Sequence, residues 1–217
     1  YDILFFWVAR MILMSGFLLG DVPFKTVYLH GLVRDAQGRK MSKSLGNVVD
    51  PMEFVEKYGA DALRMAMIVG NAPGSDLSLS DDKVRGYRNF VTKIWNIARF
   101  IAMNQTPEPQ TTNFKLTTND KKLIKDFERV KREVEKNIEA FKLHLAAEKI
   151  YHYIWHTFAD KIVENAKPRL ISGKPEDKAA ALAILKEIFL ESLKALHPFM
   201  PFVTEEVYQQ LYKSTFG

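Results

Sequence analysis

The sequence has 217 residues, of which 47% are apolar, including 15 Phe, 8 Tyr and 3 Trp. This composition is enough to bury the core of one large domain or two modest ones, and it excludes a disordered tail. The absence of cysteine excludes disulfides, thiolate zinc sites and thiol nucleophiles, and it agrees with a reducing, cytoplasmic location, which we expect. Basic residues outnumber acidic ones by 13 to 10 through Gln105 and by 18 to 16 afterwards, so net charge alone does not establish nucleic-acid binding.

Residues 1–35 are predicted to form a helix and then a strand. The apolar run Ile3–Leu19 is shorter than the ~20 residues of a membrane span and has Arg10 in its middle, so we predict a buried helix packed against a sheet. The β-branched, apolar run Thr26–Val33 is typical of a buried strand in an α/β sheet. One helix and one strand cannot make a sheet, and the chain starts at Tyr1 without an initiator Met, so we expect a piece of a longer protein.

Residues 39–80 are predicted to be a loop followed by two short helices. Asp50 is a typical N-cap, and the Pro that follows it suits the first helical turn. We expect Gly59 to end this helix, a second helix to span Ala60–Val69, and residues 71–75 to break the chain.

Residues 80–217 are predicted to be helical throughout. Ser80 is expected to cap a helix that reaches Asn104, and further helices are expected over about Leu145–Asn165, closed by Lys167-Pro168, over Pro175–Leu196, and from Pro201 onwards. Another helix is indicated by apolar residues spaced by three and four, namely Leu123, Phe127, Val130, Val134, Ile138 and Phe141. Short connections between amphipathic helices indicate an antiparallel bundle.

The segment Gly38-Arg39-Lys40-Met41-Ser42-Lys43-Ser44-Leu45-Gly46-Asn47 carries the strongest chemical signal. It places three cations, two hydroxyls and two glycines within ten residues, between a predicted strand and a capped helix. Lysines three residues apart on a loop can converge on one polyanion, and hydroxyl and backbone N–H groups can add donors. Such a loop suits charge that develops on a triphosphate. On composition alone, a solvated basic turn is an equally good interpretation.

The string KMSKS, following the predicted strand that contains His30-Gly31, resembles the second signature of the class I aminoacyl-tRNA synthetases. Other segments resemble the valine-specific members of this family more than the isoleucine- or leucine-specific ones: Phe6-Trp7-Val8-Ala9-Arg10-Met11, His30-Gly31-Leu32-Val33-Arg34-Asp35, Gly86-Tyr87-Arg88-Asn89-Phe90 and His197-Pro198-Phe199-Met200-Pro201-Phe202. The resemblance covers essentially the whole chain. It implies an α/β plus all-α fold: the C-terminal part of a Rossmann-type catalytic domain with connecting helices over residues 1–80, joined to an antiparallel anticodon-binding bundle over residues 81–217.

The activity that this resemblance implies is ATP-dependent activation of valine to valyl-adenylate, with Mg²⁺ accompanying the nucleotide, and transfer to the 3′ end of tRNA(Val). We expect a monomer that binds no membrane, and a piece that is inactive alone, because it lacks the family's first signature. His152 and His156 are four residues apart, but they have no third ligand nearby, so we expect no protein-bound metal. A free-standing tRNA-binding module, another adenylyl-transferring enzyme of the same fold and an isoleucyl-tRNA synthetase relative stay open as alternatives.

The resemblance also implies roles for individual residues of the first region. Lys40 and Lys43 are expected to bind the ATP phosphates, with Lys43 the more direct stabiliser of the transition state. The remaining ATP-binding residues are expected to be Met41, Ser42 and Ser44 in the loop, His30 and Gly31 at the adenosine-binding strand, and Asp2 at the ribose. Trp7 is expected to wall the amino-acid pocket, although a Trp in an apolar helix is more often part of the core.

An RNA-binding face is predicted on the helix that Ser80 caps. Asn89, Lys93, Asn96 and Phe100 recur at spacings of four, three and four. An aromatic ring among amides and a lysine suits an unpaired base; the alternative is that Phe100 packs under the connector at Pro107. By similarity, Lys93 and Phe100 match positions that touch the anticodon. Asp82 stands where a homologous enzyme has Arg, so the set of contacts must differ.

Overall fold

The computed structural model describes residues 3–105 and 114–213. A π-helical turn, Leu4–Val8, leads into α1 (Ala9–Leu19), and a 3₁₀ turn (Lys43–Leu45) lies between the short strands β1 (Val33–Arg34) and β2 (Leu77–Ser78). The other helices are α2 (Pro51–Tyr58), α3 (Ala60–Ile68), α4 (Asp81–Met103), α5 (Thr118–Glu139), α6 (Leu143–His152), which continues as a π-helical segment (Tyr153–Val163) into α7 (Glu164–Ser172), α8 (Pro175–Leu196) and α9 (Pro201–Leu211).

The N-terminal helix is exposed, so the prediction that it is buried against a sheet is wrong. Val8 is the one buried residue along the described turn and α1, whereas Phe5 and Phe17 are 79% and 85% exposed. An apolar helix is buried only where another element covers it, and the described residues leave this one uncovered. No helix within residues 3–105 and 114–213 is long and apolar enough to cross a membrane.

The predicted strand Thr26–Val33 is also wrong over most of its length. Only Val33–Arg34 forms a strand, paired in parallel with Leu77–Ser78. Residues 26–28 are exposed, and the chain first meets this neighbour where the Gly74 N–H donates to the Leu29 carbonyl at 3.0 Å. A strand needs a partner for its backbone groups, and the described chain offers one from Leu29 onwards.

The helix signals around Asp50 and Gly59 are confirmed. The Asp50 carboxylate accepts a hydrogen bond from the Met52 N–H at 2.9 Å, and Gly59 ends α2 with a φ of 88°, a region that glycine adopts at little cost. A small core then forms between α2, α3 and the start of α4, from Phe54, Tyr58, Ala62, Ala66, Leu79 and Val84.

The larger core belongs to the later helices, and it corrects two predictions. Phe141 lies beyond the end of α5, with a φ of 57°, and is 50% exposed, so it leaves the predicted stripe. The helix expected to end at Lys167-Pro168 instead runs to Ser172. Proline removes one helical N–H, but Ala166 and Leu170 on either side of it are buried in the core, and this packing holds the helix together. The antiparallel order of the helices stays a prediction.

Helix α3 joins the small core to the later helices. The Asp61 carboxylate accepts hydrogen bonds from the N–H groups of Phe202 at 3.3 Å and Val203 at 2.6 Å, in the first turn of α9. One turn along α3, the Arg64 guanidinium donates to the carbonyls of Phe199 at 3.2 Å and Pro198 at 3.1 Å. The connection between α8 and α9 is therefore held by two charged side chains from the first part of the chain.

Candidate functional site

The base of the KMSKS loop is organised by one buried carboxylate, Asp35. Its oxygens accept hydrogen bonds from the Arg39 N–H at 2.7 Å, the Arg39 Nε at 2.8 Å, the Gln37 N–H at 3.1 Å and the Asn47 Nδ2 at 2.9 Å. The hydrogen bond from Asn47, followed by those from Arg39, outweighs the cost of burial and lowers the pKa of Asp35 to about 2. The carboxylate therefore stays charged and ties both ends of the loop together.

Asn47 closes the loop from the other side. Its amide Nδ2 also donates to the Lys40 carbonyl at 3.2 Å, and its Oδ1 accepts from the Ser42 N–H at 2.9 Å. Ser42 in turn caps the 3₁₀ turn by accepting from the Leu45 N–H at 3.3 Å, and its hydroxyl lies 3.1 Å from that of Ser44. The two serines and Asn47 thus shape the loop backbone.

Asp35 and Asn47 were missed as site residues: a turn-forming Asp before Ala-Gln-Gly was a usable signal, whereas the Asn47 contacts depend on tertiary structure.

The ammonium groups of the two signature lysines take no part in the hydrogen bonds that anchor this base. Lys40 and Lys43 are exposed, and none of the ion pairs within residues 3–105 and 114–213 involves either of them. Met41 is half-buried beside them. A rigid base with uncommitted ammonium groups is an arrangement that can accept a phosphate without first breaking an ion pair.

His30 and Gly31 lie where β1 approaches the turn before β2. The His30 ring nitrogen Nδ1 lies 2.8 Å from the Gly31 carbonyl and donates to it. A Cβ added at Gly31 would stand 2.0 Å from the carbonyl oxygen of Ser75, so only glycine allows the two backbones to come this close. Nearby, the carboxylate of Asp76 accepts from the Leu32 N–H at 2.8 Å and the Arg34 Nε at 2.5 Å, which lowers its pKa.

The remaining predicted residues of the first region are not brought to this loop by any described contact. Trp7 is 59% exposed on the π-helical turn, with the Arg10 guanidinium 5.4 Å from its ring centroid. Asp2, the predicted ribose contact, lies outside the described residues. Within residues 3–105 and 114–213, no group of three or more His, Asp or Glu side chains is placed to hold a metal ion.

The four residues of the predicted RNA face share one flank of α4, but they differ in their surroundings. Asn89 and Asn96 are exposed. Lys93 is half-buried, bonds the Asp160 carboxylate at 2.6 Å and lies 5.0 Å from the Trp155 ring centroid. Phe100 packs partly against the large core; Pro107, under which it was alternatively expected, lies outside the described residues.

Asp82 makes no described hydrogen bond or ion pair with the four residues of this face. It is exposed in the first turn of α4 and pairs with Arg85 at 2.6 Å. A carboxylate at that point suits the positive end of the helix dipole. Helix stability therefore explains an acidic residue at this position.

Comparison with known proteins agrees with both halves of this description. A family model described as tRNA synthetases class I (I, L, M and V) matches residues 1–80, and a model described as the anticodon-binding domain of tRNA ligase matches residues 120–217. The chain belongs to the class I tRNA synthetases. The valine–tRNA ligase of Clostridium acetobutylicum is 46% identical to it over 97% of this chain and 24% of that protein. The chain spans about a quarter of the length of the curated relatives that it matches.

Solved synthetase structures share its fold. The methionyl-tRNA synthetase of Mycobacterium tuberculosis in complex with methionyl-adenylate has a TM-score of 0.68 and 25% identity, over 85% of this chain and 39% of that one. The LeuRS of Agrobacterium radiobacter K84, in a ternary complex with tRNA and LeuAMS, has a TM-score of 0.66 and 21% identity, over 94% and 25%. The fold of these synthetases thus explains why the KMSKS loop and a helical region occur together in one chain.

Proposed function

We propose that this chain is the part of a valine–tRNA ligase that supplies the KMSKS loop and the anticodon-binding helices. The whole enzyme would activate valine with ATP and Mg²⁺ and transfer the valyl group to the 3′ end of tRNA(Val) in the cytoplasm. Residues 1–80 would belong to the catalytic domain, and residues 81–217 to the anticodon-binding bundle. The similarity to valine–tRNA ligases over 97% of the chain carries this proposal.

The geometry of the loop supports the nucleotide part of the proposal. Asp35 and Asn47 hold its two ends, while Lys40 and Lys43 stay exposed. In this role, both lysines would bind the ATP phosphates, and Lys43 would stabilise the charge that grows as the α-phosphorus is attacked. His30 and Gly31 would contact the adenosine, and Trp7 would wall the valine pocket.

The anticodon part is supported by the composition and position of one flank of α4. Phe100 offers a partly exposed ring on which an unpaired base can stack, a contact worth ~1–3 kcal/mol. Asn89 and Asn96 are exposed amides that can read base edges. Lys93 is the cation of this flank.

The decisive experiment measures RNA binding and catalysis on the same preparation. The 217-residue chain is expected to bind a tRNA with a valine anticodon weakly, more tightly than one with an isoleucine anticodon, and with affinity that falls as salt rises. Phe100→Ala should remove the preference. Trp95→Ala is the matched control: Trp95 is 40% exposed and lies five residues from Phe100, which places it on a different flank of α4. Equal binding to every anticodon would contradict the proposal.

The same preparation distinguishes the second candidate, a free-standing tRNA-binding module. Neither candidate predicts valine-dependent ATP–pyrophosphate exchange by this chain alone, because these 217 residues hold no first signature of the family. Addition of the remaining catalytic segment of a valine–tRNA ligase, fused or in trans, should restore exchange only if the ligase assignment is correct. Exchange by the chain alone would contradict both.

A further inference from the structure

Lys167 lies beside the predicted anticodon residue Phe100, although it belongs to a different helix. Its ammonium group is 5.9 Å from the centroid of the Phe100 ring. The Lys167 side chain is 41% exposed and bonds both carboxylate oxygens of Glu164 at 2.7 Å. A cation at this distance from a partly exposed aromatic ring is within the range of a cation–π contact, and it can also reach a ligand that stacks on the ring.

A second contact between α4 and the same neighbouring helix occurs at Lys93, about two turns before Phe100. Lys93 is contacted from the facing helix by Asp160 at 2.6 Å and by the Trp155 ring at 5.0 Å. Lys93 and Phe100 are the two α4 residues that match anticodon-contacting positions by similarity. Side chains from residues 153–172 contact both of them. The predicted RNA face of α4 is therefore bordered by side chains of the helix of residues 143–172.

We infer that Lys167 is a phosphate-binding residue of this face and forms, with Phe100, a site for one unpaired nucleotide. The base stacks on Phe100 and the adjoining phosphate bonds the Lys167 ammonium. This inference rests on the proposed function, since it takes the bound RNA to be an anticodon loop. Lysine suits this contact, because its point charge on a flexible stem follows a phosphate that has no fixed orientation.

The carboxylates at the seam determine how strong the contact can be. Glu164 holds Lys167, and Asp160 holds Lys93 while its other oxygen lies 3.8 Å from the His156 Nδ1. Each lysine must exchange a carboxylate for an RNA group, so the bound phosphate competes with Glu164. Removing the charge of Glu164 should therefore strengthen binding, whereas removing that of Lys167 should weaken it.

The test titrates labelled anticodon stem-loops, with valine and with non-valine anticodons, into the 217-residue chain and follows fluorescence anisotropy at several salt concentrations. Lys167→Ala should weaken binding about fivefold at ~0.1 M salt and lower the salt slope by about 0.7, as expected for one phosphate contact on a single strand. The loss should be the same for every anticodon, because a phosphate carries no sequence information. Glu164→Gln should tighten binding.

Lys161→Ala is the matched control. Lys161 is exposed on the same continuous helix but lines a cavity with Asn165 and Arg169, away from Phe100, so its removal changes the net charge equally without touching the site. Circular dichroism and the melting temperature check that each variant is folded.

The outcomes separate this inference from the proposed function. If the unaltered chain does not distinguish the valine anticodon, the proposed function fails and this inference fails with it. If it does distinguish, but Lys167→Ala binds like Lys161→Ala with the same salt slope, only the Lys167 site is overturned. A Lys167→Ala loss confined to one anticodon would indicate a base contact and would overturn the phosphate assignment.

Discussion

The carboxylate of Asp61 accepts a hydrogen bond at 2.6 Å from the backbone N–H of Val203, which follows it by 142 residues. Helix α9 has no side-chain cap from its own N-cap residue, Met200, so Asp61 satisfies donors that would otherwise be orphaned at the helix start. Asp61 is 5% exposed, and water cannot easily replace it. This contact fixes the segment that carries the KMSKS loop against the last described helix.

Asp61→Ala should destabilise the chain by about 1–3 kcal/mol, because it leaves the buried N–H of Val203 and the partly buried N–H of Phe202 without an acceptor. The free energy of unfolding in urea is the measurement. Asp82→Ala is the matched control: Asp82 is also in the first turn of a helix, but it is exposed and bonds only a neighbouring arginine, so its loss should cost less than about 0.5 kcal/mol. Equal effects of the two substitutions would show that Asp61 is not a cap.

Gly31→Ala should be strongly destabilising, by more than about 2 kcal/mol, because its Cβ would stand 2.0 Å from a backbone oxygen that no rotamer change can move. Gly16→Ala is the comparison, since nothing lies within 4 Å of its Cβ on the exposed α1; it should stabilise the helix by up to about 1 kcal/mol. Thermal unfolding of the two variants checks both signs. A harmless Gly31→Ala would mean that the two backbones do not approach this closely.

Asn47→Ala should raise the pKa of Asp35 from about 2, because the Asn47 amide is the largest cause of its depression. A carboxyl-carbon NMR titration measures this. The pKa of Asp76 is held low by Leu32 and Arg34, so it should not move in the same variant and serves as the internal control.

The pH dependence of the loop follows from the same carboxylate. The folded pKa of Asp35, about 2, lies below the ~3.9 of an unfolded aspartate. Its stabilisation of the loop is therefore fully present above about pH 4 and is lost as the pH falls towards 2. Amide chemical shifts of residues 39–47 should report this loss, and they should do so at higher pH in Asn47→Ala. A loop unaffected by acid would contradict the role of Asp35.

Lys43→Ala, made in a full-length valine–tRNA ligase that carries this segment, should lower the rate of valine-dependent ATP–pyrophosphate exchange by ~10²–10³. The KM for valine should change little, since the lysine is expected to act on charge that develops in the transition state. Lys25→Ala is the control, because Lys25 is exposed in the same region but lies outside the loop. A large rise in the KM for valine with an unchanged rate would reject the role of Lys43.

Local signals in the sequence predicted the helices well. Asp50 and Ser80 cap α2 and α4 as expected, and α8 spans Pro175–Leu196 as predicted. These features are readable because a cap or a proline acts on the backbone within a few residues of itself. The KMSKS string and its flanking segments likewise carried the family, which the comparisons confirm. The individual roles of the site residues stay predictions.

Apart from Phe141, which leaves its predicted stripe because α5 ends before it, the errors concern contacts between distant parts of the chain. The apolar pattern in residues 3–33 indicates which side chains would be stabilised by burial. It does not indicate whether another element packs over them, and in the described chain most of them are exposed. The helix continues past Pro168 because of packing against the large core, which outweighs a local breaking signal.

By itself, the sequence determined the synthetase family, the capped helices and the loop that carries Lys40 and Lys43. Only the tertiary structure decided that Asp35 and Asn47 hold that loop, that Asp61 caps a helix 142 residues away, and that Lys167 stands beside Phe100. The physical reason is that a hydrogen bond or ion pair depends on a separation of a few ångströms in space. Folding brings together residues that are far apart in the sequence, and no regular sequence spacing indicates which of them will meet.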